Sequence, residues 1–325
     1  MAGAKVPRVY DELRMLCDIH GLFLRKEALR IGCTDRILRR ARSEKVIHRV
    51  RHGAYAFTDV WESLTERERH VLSARAVLRQ AKTQLALSHT TAAVVLGAPL
   101  WGVSLDVVHV SRLDHRAGRK EAGVVQHRGV IRDHEIVEVG GLLVTSPTRT
   151  ALDLTTIYDA SRSLPVLDHF LHHKLTTKQN LLVGARAMTR WPNTLGTDLV
   201  VTLADGRRES IGESRTFHMM WLGGLPPAEP QFKIRRANGG VIARVDFAWP
   251  ELGVWLEFDG EEKYTKYRKE GESLLKAVLR EKKREERICR LTGWRCIRIV
   301  WADLYRPDQT VAYIASVLAG GPVHI

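Results

Sequence analysis

Apolar residues near the N-terminus recur at helical spacing. Leu13, Leu16 and Cys17 share one face of a predicted helix over residues 10–20, which Gly21 stops. A second short helix over 26–30 ends at Gly32. Thr34 then takes an N-cap position with Asp35 in the first turn, opening a helix over 35–42. Ile37, Leu38 and Ala41 form its inner face, so Arg36, Arg39, Arg40 and Arg42 project elsewhere. The pattern then shortens to strands over 46–50 and 54–57, turning at Arg51-His52-Gly53, with Arg49 and Arg51 making the hairpin basic.

Three helices, an arginine-loaded third helix and a basic hairpin follow the order of a winged helix-turn-helix. In such folds the third helix enters the major groove and the wing touches phosphates. A small three-helix scaffold that binds protein would show the same apolar pattern, but the arginines crowded onto one short helix favour double-stranded DNA.

Residues 58–208 read as an α+β middle region with a helical linker. Thr65 and Glu68 form a capping box for a helix reaching about Ala81, and Ser88 is placed to cap a helix ending near Gly97. Strand-like runs follow at 105–110, 124–127 and 142–144, and helices return at 147–158 and 164–175. The histidines here (His89, His109, His127, His134, His169, His172, His173), of which His172 and His173 are adjacent and so face different directions on a helix, read as core or surface residues.

From residue 209 onward the pattern carries chemistry. A helix with Glu213 runs to Gly223-Gly224, and strands follow over 230–236, 241–248 and 253–259. Asn238-Gly239 is a strong hairpin-turn signal between the first two. The turn at Pro250-Glu251-Leu252-Gly253 centres the next hairpin so that Asp246 faces Glu257. Alternation puts Asp259 on the face of Glu257, with Leu256 and Phe258 toward the core. Carboxylates this close repel one another, and a hard divalent cation, Mg²⁺ by default with Mn²⁺ as its substitute, is the usual reason for grouping them. A solvated sheet face whose acids pair with nearby lysines and arginines is the competing reading. A basic helix over 272–291, a strand over 295–300 and a helix over 307–318 complete the segment.

Composition narrows the classes. The chain has 325 residues, 44% hydrophobic and 27% charged, which suits a folded protein of two or three domains. No apolar run approaches the ~18 residues a membrane span needs. The N-terminal residues lack a secretory signal pattern, so the cytoplasm is expected. Cys17, Cys33, Cys289 and Cys296 form no C-x-x-C pair and read as small hydrophobes. A formal charge of +14 points toward a polyanion, most commonly nucleic acid.

The combination of Gly212-Glu213-Ser214-Arg215, Arg244-Val245-Asp246-Phe247, Leu256-Glu257-Phe258-Asp259-Gly260 and Gly293-Trp294-Arg295 resembles the PD-(D/E)XK, restriction-endonuclease-like superfamily, and more narrowly the branch related to very-short-patch repair endonucleases. The stretch Arg49-Val50-Arg51-His52-Gly53-Ala54-Tyr55 resembles the winged-helix domain of AbiEi-type antitoxins, which are DNA-binding repressors of toxin–antitoxin or phage-defence operons. Together these imply an α+β / α/β multidomain chain. A winged helix-turn-helix spans 1–57, an α+β middle domain 58–208, and a nuclease-like mixed sheet flanked by helices 209–325.

The nuclease resemblance implies Asp246 and Glu257 as metal ligands, with Glu213 and Asp259 as supporting ligands or orienting groups. Its motif puts a lysine two residues after Glu257, where this chain has Asp259, and Lys263 or Lys282 would take that role. The antitoxin resemblance implies DNA contacts by Arg36, Arg39, Arg40, Arg42, Arg49 and Arg51, and either a cognate toxin or self-association. A DNA endonuclease and a non-catalytic repressor with a degenerate nuclease domain are the two functions these residues support.

Overall fold

The computed structural model describes residues 5–114, 120–121, 123–188, 191–236, 238–260 and 274–323. The chain forms mixed α and β structure in two compact units, one of residues 1–98 and 102–154, the other of residues 99–101 and 155–325.

The first unit opens with α1 (Lys5–His20), β1 (Phe23–Leu24), α2 (Arg25–Arg30), α3 (Asp35–Ser43), β2 (Ile47–Arg51) and β3 (Ala54–Phe57). Thr34 caps α3 as its position predicts, its hydroxyl accepting the Ile37 N–H at 3.3 Å. The three strands pair in the order β1-β3-β2, a bulge between Arg49 and Arg51 bending the hairpin. Leu13, Leu22, Phe23, Leu38 and Ala41 bury between helices and sheet.

Next come α4 (Thr58–Ser63) and α5 (Glu66–Gln80), whose first turn carries the predicted Thr65/Glu68 capping box. α5 belongs to two cores at once. Leu72 and Ala76 pack with the N-terminal helices, while Ala74 and Val77 pack on a second sheet. Arg79 donates to the Leu22 carbonyl and to Glu27, and Gln80 to the His52 carbonyl. These bonds explain why no break between compact units falls near residue 57.

The second sheet comprises β4 (Leu85–Leu87), β5 (Val108–Arg112), β6 (Lys120–Glu121), β7 (Val124–His127), β8 (Ile136–Val139) and β9 (Leu142–Thr145), in the order β6-β7-β5-β4-β9-β8. α6 (His89–Val95) and α7 (Pro147–Thr155) accompany it. Ser88 does precede α6, but its side chain makes no cap bond and instead accepts from the Ser111 hydroxyl at 2.9 Å.

The second unit begins with α8 (Ala160–His172), α9 (Lys178–Ala187), α10 (Thr197–Leu203) and α11 (Ile211–Leu222). The sequence pattern groups residues 155–208 with the middle region, whereas they cluster with the C-terminal sheet. A buried knot accounts for this. Asp168 of α8 accepts two bonds from Arg208, one from the Ser214 hydroxyl of α11 and one from the Asp205 N–H. Carboxylate and guanidinium are each 1% exposed, so neither is satisfied unless the helices stay together.

β10 (Glu229–Arg235), β11 (Val241–Trp249), β12 (Val254–Asp259), α12 (Leu274–Thr292), β13 (Arg295–Val300) and α13 (Pro307–Leu318) complete the unit. The sheet order is β10-β11-β12-β13, antiparallel until β13, which pairs parallel to β12. That parallel pairing needs a crossover connection, and α12 lies within it. Phe247, Leu256 and Phe258 enter one core with Met219, Ile297 and Ile314, while Ala248, Trp255 and Cys296 enter another with Ile288 of α12. Among the described residues no helix is long and apolar enough to cross a membrane.

Candidate nuclease centre and DNA-facing surface

Glu213 sits in the first turn of α11, and Ser210 caps that turn. The Ser210 hydroxyl accepts the Glu213 N–H at 3.1 Å and donates to Glu213 Oε1 at 2.8 Å, while the Glu209 N–H donates to Oε2 at 3.0 Å. Gly212 permits this approach to the sheet. A Cβ there would lie 1.9 Å from Cε1 of Phe258, so only glycine lets α11 lie flat on that ring.

Gln231, on β10 with φ of 53°, bridges two acids. Its amide nitrogen donates to Glu213 Oε2 at 2.8 Å and makes a long contact of 3.5 Å to Asp246 Oδ1. Burial, followed by the charge of Asp246, raises the Glu213 pKa above the usual carboxylate range, while the bonds from Glu209, Ser210 and Gln231 pull it back.

The pairing Phe247↔Leu256 makes Asp246 and Glu257 the next step along the ladder, the register the turn predicts. There the ladder gives way to a side chain, and Asp246 Oδ2 accepts the buried Phe258 N–H at 2.9 Å. Glu257 receives both terminal nitrogens of Arg284 on Oε1, each at 3.1 Å, and the same guanidinium donates to the Arg244 carbonyl at 2.7 Å. Asp259 is bound by Arg298 on the neighbouring β13, which also donates to Glu285 of α12 at 2.6 Å. Burial disfavours the Arg298 cation, but Asp259 and Glu285 outweigh it and hold its pKa above that of free arginine.

The four acids singled out from sequence thus divide. Glu213 and Asp246 come together through Gln231, whereas Glu257 and Asp259 each carry an arginine. Among the described residues no group of three or more His, Cys, Asp or Glu side chains is placed to hold a metal ion. Lys282 is exposed, and Lys263 lies outside the described residues. The residues that sequence reasoning missed are Gln231, Arg284 and Arg298. Helical spacing carried a signal for Arg284, four residues before the buried Ile288 and so on the inner face of α12. The others depend on a residue of positive φ within β10 and on a parallel crossover.

At the N-terminal end, Arg36, Arg39, Arg40, Arg42 and Arg49 are exposed and Arg51 is partly so. Arg40 is tied to Glu44 one turn on at 2.7 Å, and the Arg39 Nε donates to the Asp35 carbonyl. Arg25, Asp35, Leu38, Arg39, Arg42 and Tyr55 line a shallow cavity of about 360 Å³ between α3 and the hairpin.

The middle sheet also gathers three histidines that sequence spacing left apart. His109 Nδ1 and His127 Nε2 share a hydrogen bond of 2.8 Å, and His89 stacks on His127 with ring centroids 3.4 Å apart. Arg149 and Asp153 of α7 pair at 2.7 Å, and Asp153 lies 3.8 Å from the His89 ring. Burial drives the pKa of His127 down to about 3 and that of His109 to about 4.

No protein-family profile matches the chain. Two uncharacterized proteins of Mycobacterium tuberculosis, MT2308 of strain CDC 1551 / Oshkosh and Rv2248 of strain H37Rv, are each 29% identical over 233 residues, covering 71% of this chain and 82% of theirs. Among solved structures, the RV2827C protein of Mycobacterium tuberculosis aligns over 66% of this chain and 83% of its own, with a TM-score of 0.40 and 14% identity.

Proposed function

We propose that the chain is a DNA-binding protein whose C-terminal sheet is a divalent-cation-dependent endonuclease site of restriction-endonuclease-like design, and whose N-terminal residues 1–57 form a winged helix-turn-helix. The observation that carries this reading is the convergence of Glu213 and Asp246 through Gln231, with Asp246 in register with Glu257 one step beyond the Phe247↔Leu256 pair.

No three of these acids are grouped around one point among the described residues, but the donor chemistry suits a hard cation. All the groups offer oxygen, and Glu213, whose pKa is raised first by burial and then by Asp246, feels a repulsion that a cation would relieve. Asp246 and Glu257 would hold Mg²⁺ or Mn²⁺, and the ion would supply Lewis-acid activation of water and of the phosphodiester. The protein's own residues orient and steer. Ser210 and Gln231 fix the Glu213 carboxyl, and the Phe258 N–H fixes Asp246. On α12, Lys276, Arg280, Lys283 and Arg287 recur at spacings of four, three and four, the stripe that a phosphate backbone would follow.

The test is a supercoiled plasmid incubated with the purified chain and Mg²⁺ or Mn²⁺. Nicking that Asp246→Ala removes while duplex binding persists supports the reading. No nicking by the wild-type chain with either cation overturns it.

A second reading draws on the arginines themselves. Arg284 and Arg298 neutralise Glu257 and Asp259, as a degenerate site serving an AbiEi-type repressor or antitoxin would allow. Tight binding of one short DNA sequence without nicking, lost in Arg36→Ala/Arg39→Ala/Arg40→Ala, favours it. Such a chain would have a cognate toxin or a second copy of itself as partner.

A further inference from the structure

Arg284 occupies an unusual position for a cation on a basic helix. Its outward neighbours Lys282, Lys283 and Arg287 are exposed, while Arg284 turns inward and places both terminal nitrogens on one oxygen of Glu257. Residues two apart on a helix point about 200° apart, so Lys282 and Arg284 do not share this role. Glu257 itself is only 6% exposed, and without a counter-charge its carboxylate would be a buried, uncompensated anion. The chain supplies a guanidinium for it, and on the endonuclease reading a divalent ion from solution would compete for the same carboxylate.

The guanidinium is within reach of solvent. Its side chain is 35% exposed, and its remaining bonds go to the Arg244 carbonyl and to Glu281 on its own helix. A phosphodiester arriving along α12 offers an anionic, bidentate acceptor that suits a guanidinium at least as well as a single carboxylate oxygen.

We infer that Arg284 is the counter-ion of Glu257 in the DNA-free protein and passes to a DNA phosphate on binding, so that duplex DNA and a divalent cation at Asp246 and Glu257 each strengthen the other's binding. This rests on the endonuclease reading for the identity of the two ligands. Arg284 acts on the cation through Glu257 as a positioning residue, and once on the phosphate it supplies the positive charge that Asp259 does not. Linkage makes the coupling reciprocal, and a coupling of this kind is commonly about 5- to 150-fold.

The experiment measures Mn²⁺ affinity of the full chain by calorimetry without DNA, and Ca²⁺ affinity with and without a short duplex. For the wild-type chain the duplex should tighten Ca²⁺ about fivefold or more. Arg284→Ala should bind Mn²⁺ more tightly than wild type without DNA, because Glu257 has lost its competitor, while the gain on adding duplex shrinks toward one. Arg284→Lys should lie between. A phosphate that merely ligates the cation would also couple the two, but that coupling would survive Arg284→Ala and leave Mn²⁺ affinity without DNA unchanged, and either result overturns the inference.

Absence of coupling in the wild-type chain overturns it too, whether or not the variants fold. If Arg284→Ala gains Mn²⁺ affinity that Asp246→Ala abolishes, yet neither Arg284→Ala nor the wild-type chain cuts DNA, the counter-ion role stands and the endonuclease reading fails. If the wild-type chain cuts in an Asp246-dependent way and Arg284→Ala leaves cation affinity unchanged, the reverse holds.

Discussion

Asp246 accepts the buried backbone N–H of Phe258 from the adjacent strand at 2.9 Å, one residue beyond the last paired step at Phe247 and Leu256. One carboxylate thus replaces a ladder bond and holds the strand that carries Glu257. Asp246→Ala removes the acceptor and strands a buried donor, at a cost of about 1–3 kcal/mol. Asp246→Asn keeps an oxygen and should lose less. Urea unfolding of the two variants checks the order, and equal losses would show that this bond does not hold the strand.

Gly212 offers a sharper steric test. Gly212→Ala drives a methyl into the Phe258 ring and should destabilise by about 1–3 kcal/mol through overpacking. It should also lift Glu213 away from Gln231. Adding Phe258→Leu opens space, so the double variant should be less destabilised than the sum of the singles. Strict additivity in a double-mutant cycle would deny the contact.

Much of this site was legible in the sequence because turns are local. Asn238-Gly239 and the turn ending at Gly253 set both hairpins, and from the second follows the register of Asp246 on Glu257. Gly212 stands out in the sequence only as part of the stretch Gly212-Glu213-Ser214-Arg215, and the packed ring of Phe258 explains it. What stayed hidden was non-local. Arg298 meets Asp259 because β13 returns parallel to β12, and Gln231 reaches two acids from a residue with positive φ. The histidines of the middle sheet sit on separate elements, and His89, His109 and His127 meet only once α6, β5 and β7 are assembled.

Asp168 and Arg208 test where the second unit begins. Asp168→Ala leaves the Arg208 guanidinium buried without its counter-charge and should cost about 3–5 kcal/mol. Because Asp168 also accepts the Ser214 hydroxyl and so ties α8 to α11, hydrogen exchange should rise in both helices together. Exchange confined to α8 would mean that residues 155–208 are not part of the C-terminal unit's cooperative structure.

The middle sheet should be acid-sensitive. Burial holds His109 at about 4 and His127 at about 3, below the ordinary histidine value of 6.5. The unfolded chain therefore takes up protons first as pH falls through 6.5, and the folded chain follows only near 4 and 3. Stability from these neutral rings is complete above about pH 6.5 and declines below it, by at most about 1.4 kcal/mol per pH unit for each ring. His89 of α6 and Arg149 and Asp153 of α7 face the same cluster. His127→Phe should flatten the decline between pH 6 and 4, read from exchange of β5 and β7 amides. An unchanged slope would place the acid sensitivity elsewhere.

On the proposed DNA-binding reading, the arginines of α3 should not contribute equally. Removing one phosphate contact reduces the slope of log affinity against log salt by about one. Arg36 and Arg42 are exposed on the helix, while Arg40 already spends its charge on Glu44 at 2.7 Å, and a phosphate must compete with that carboxylate. Arg36→Ala and Arg42→Ala are therefore expected to lower both affinity and salt slope, with a smaller effect from Arg40→Ala. Glu44→Ala should then raise affinity by releasing Arg40, and Arg40→Ala made in that background should cost more than it does alone. If all three arginine variants bind duplex DNA with wild-type affinity and salt slope, the N-terminal helices do not dock on the backbone, and the protein-binding reading of that scaffold takes precedence.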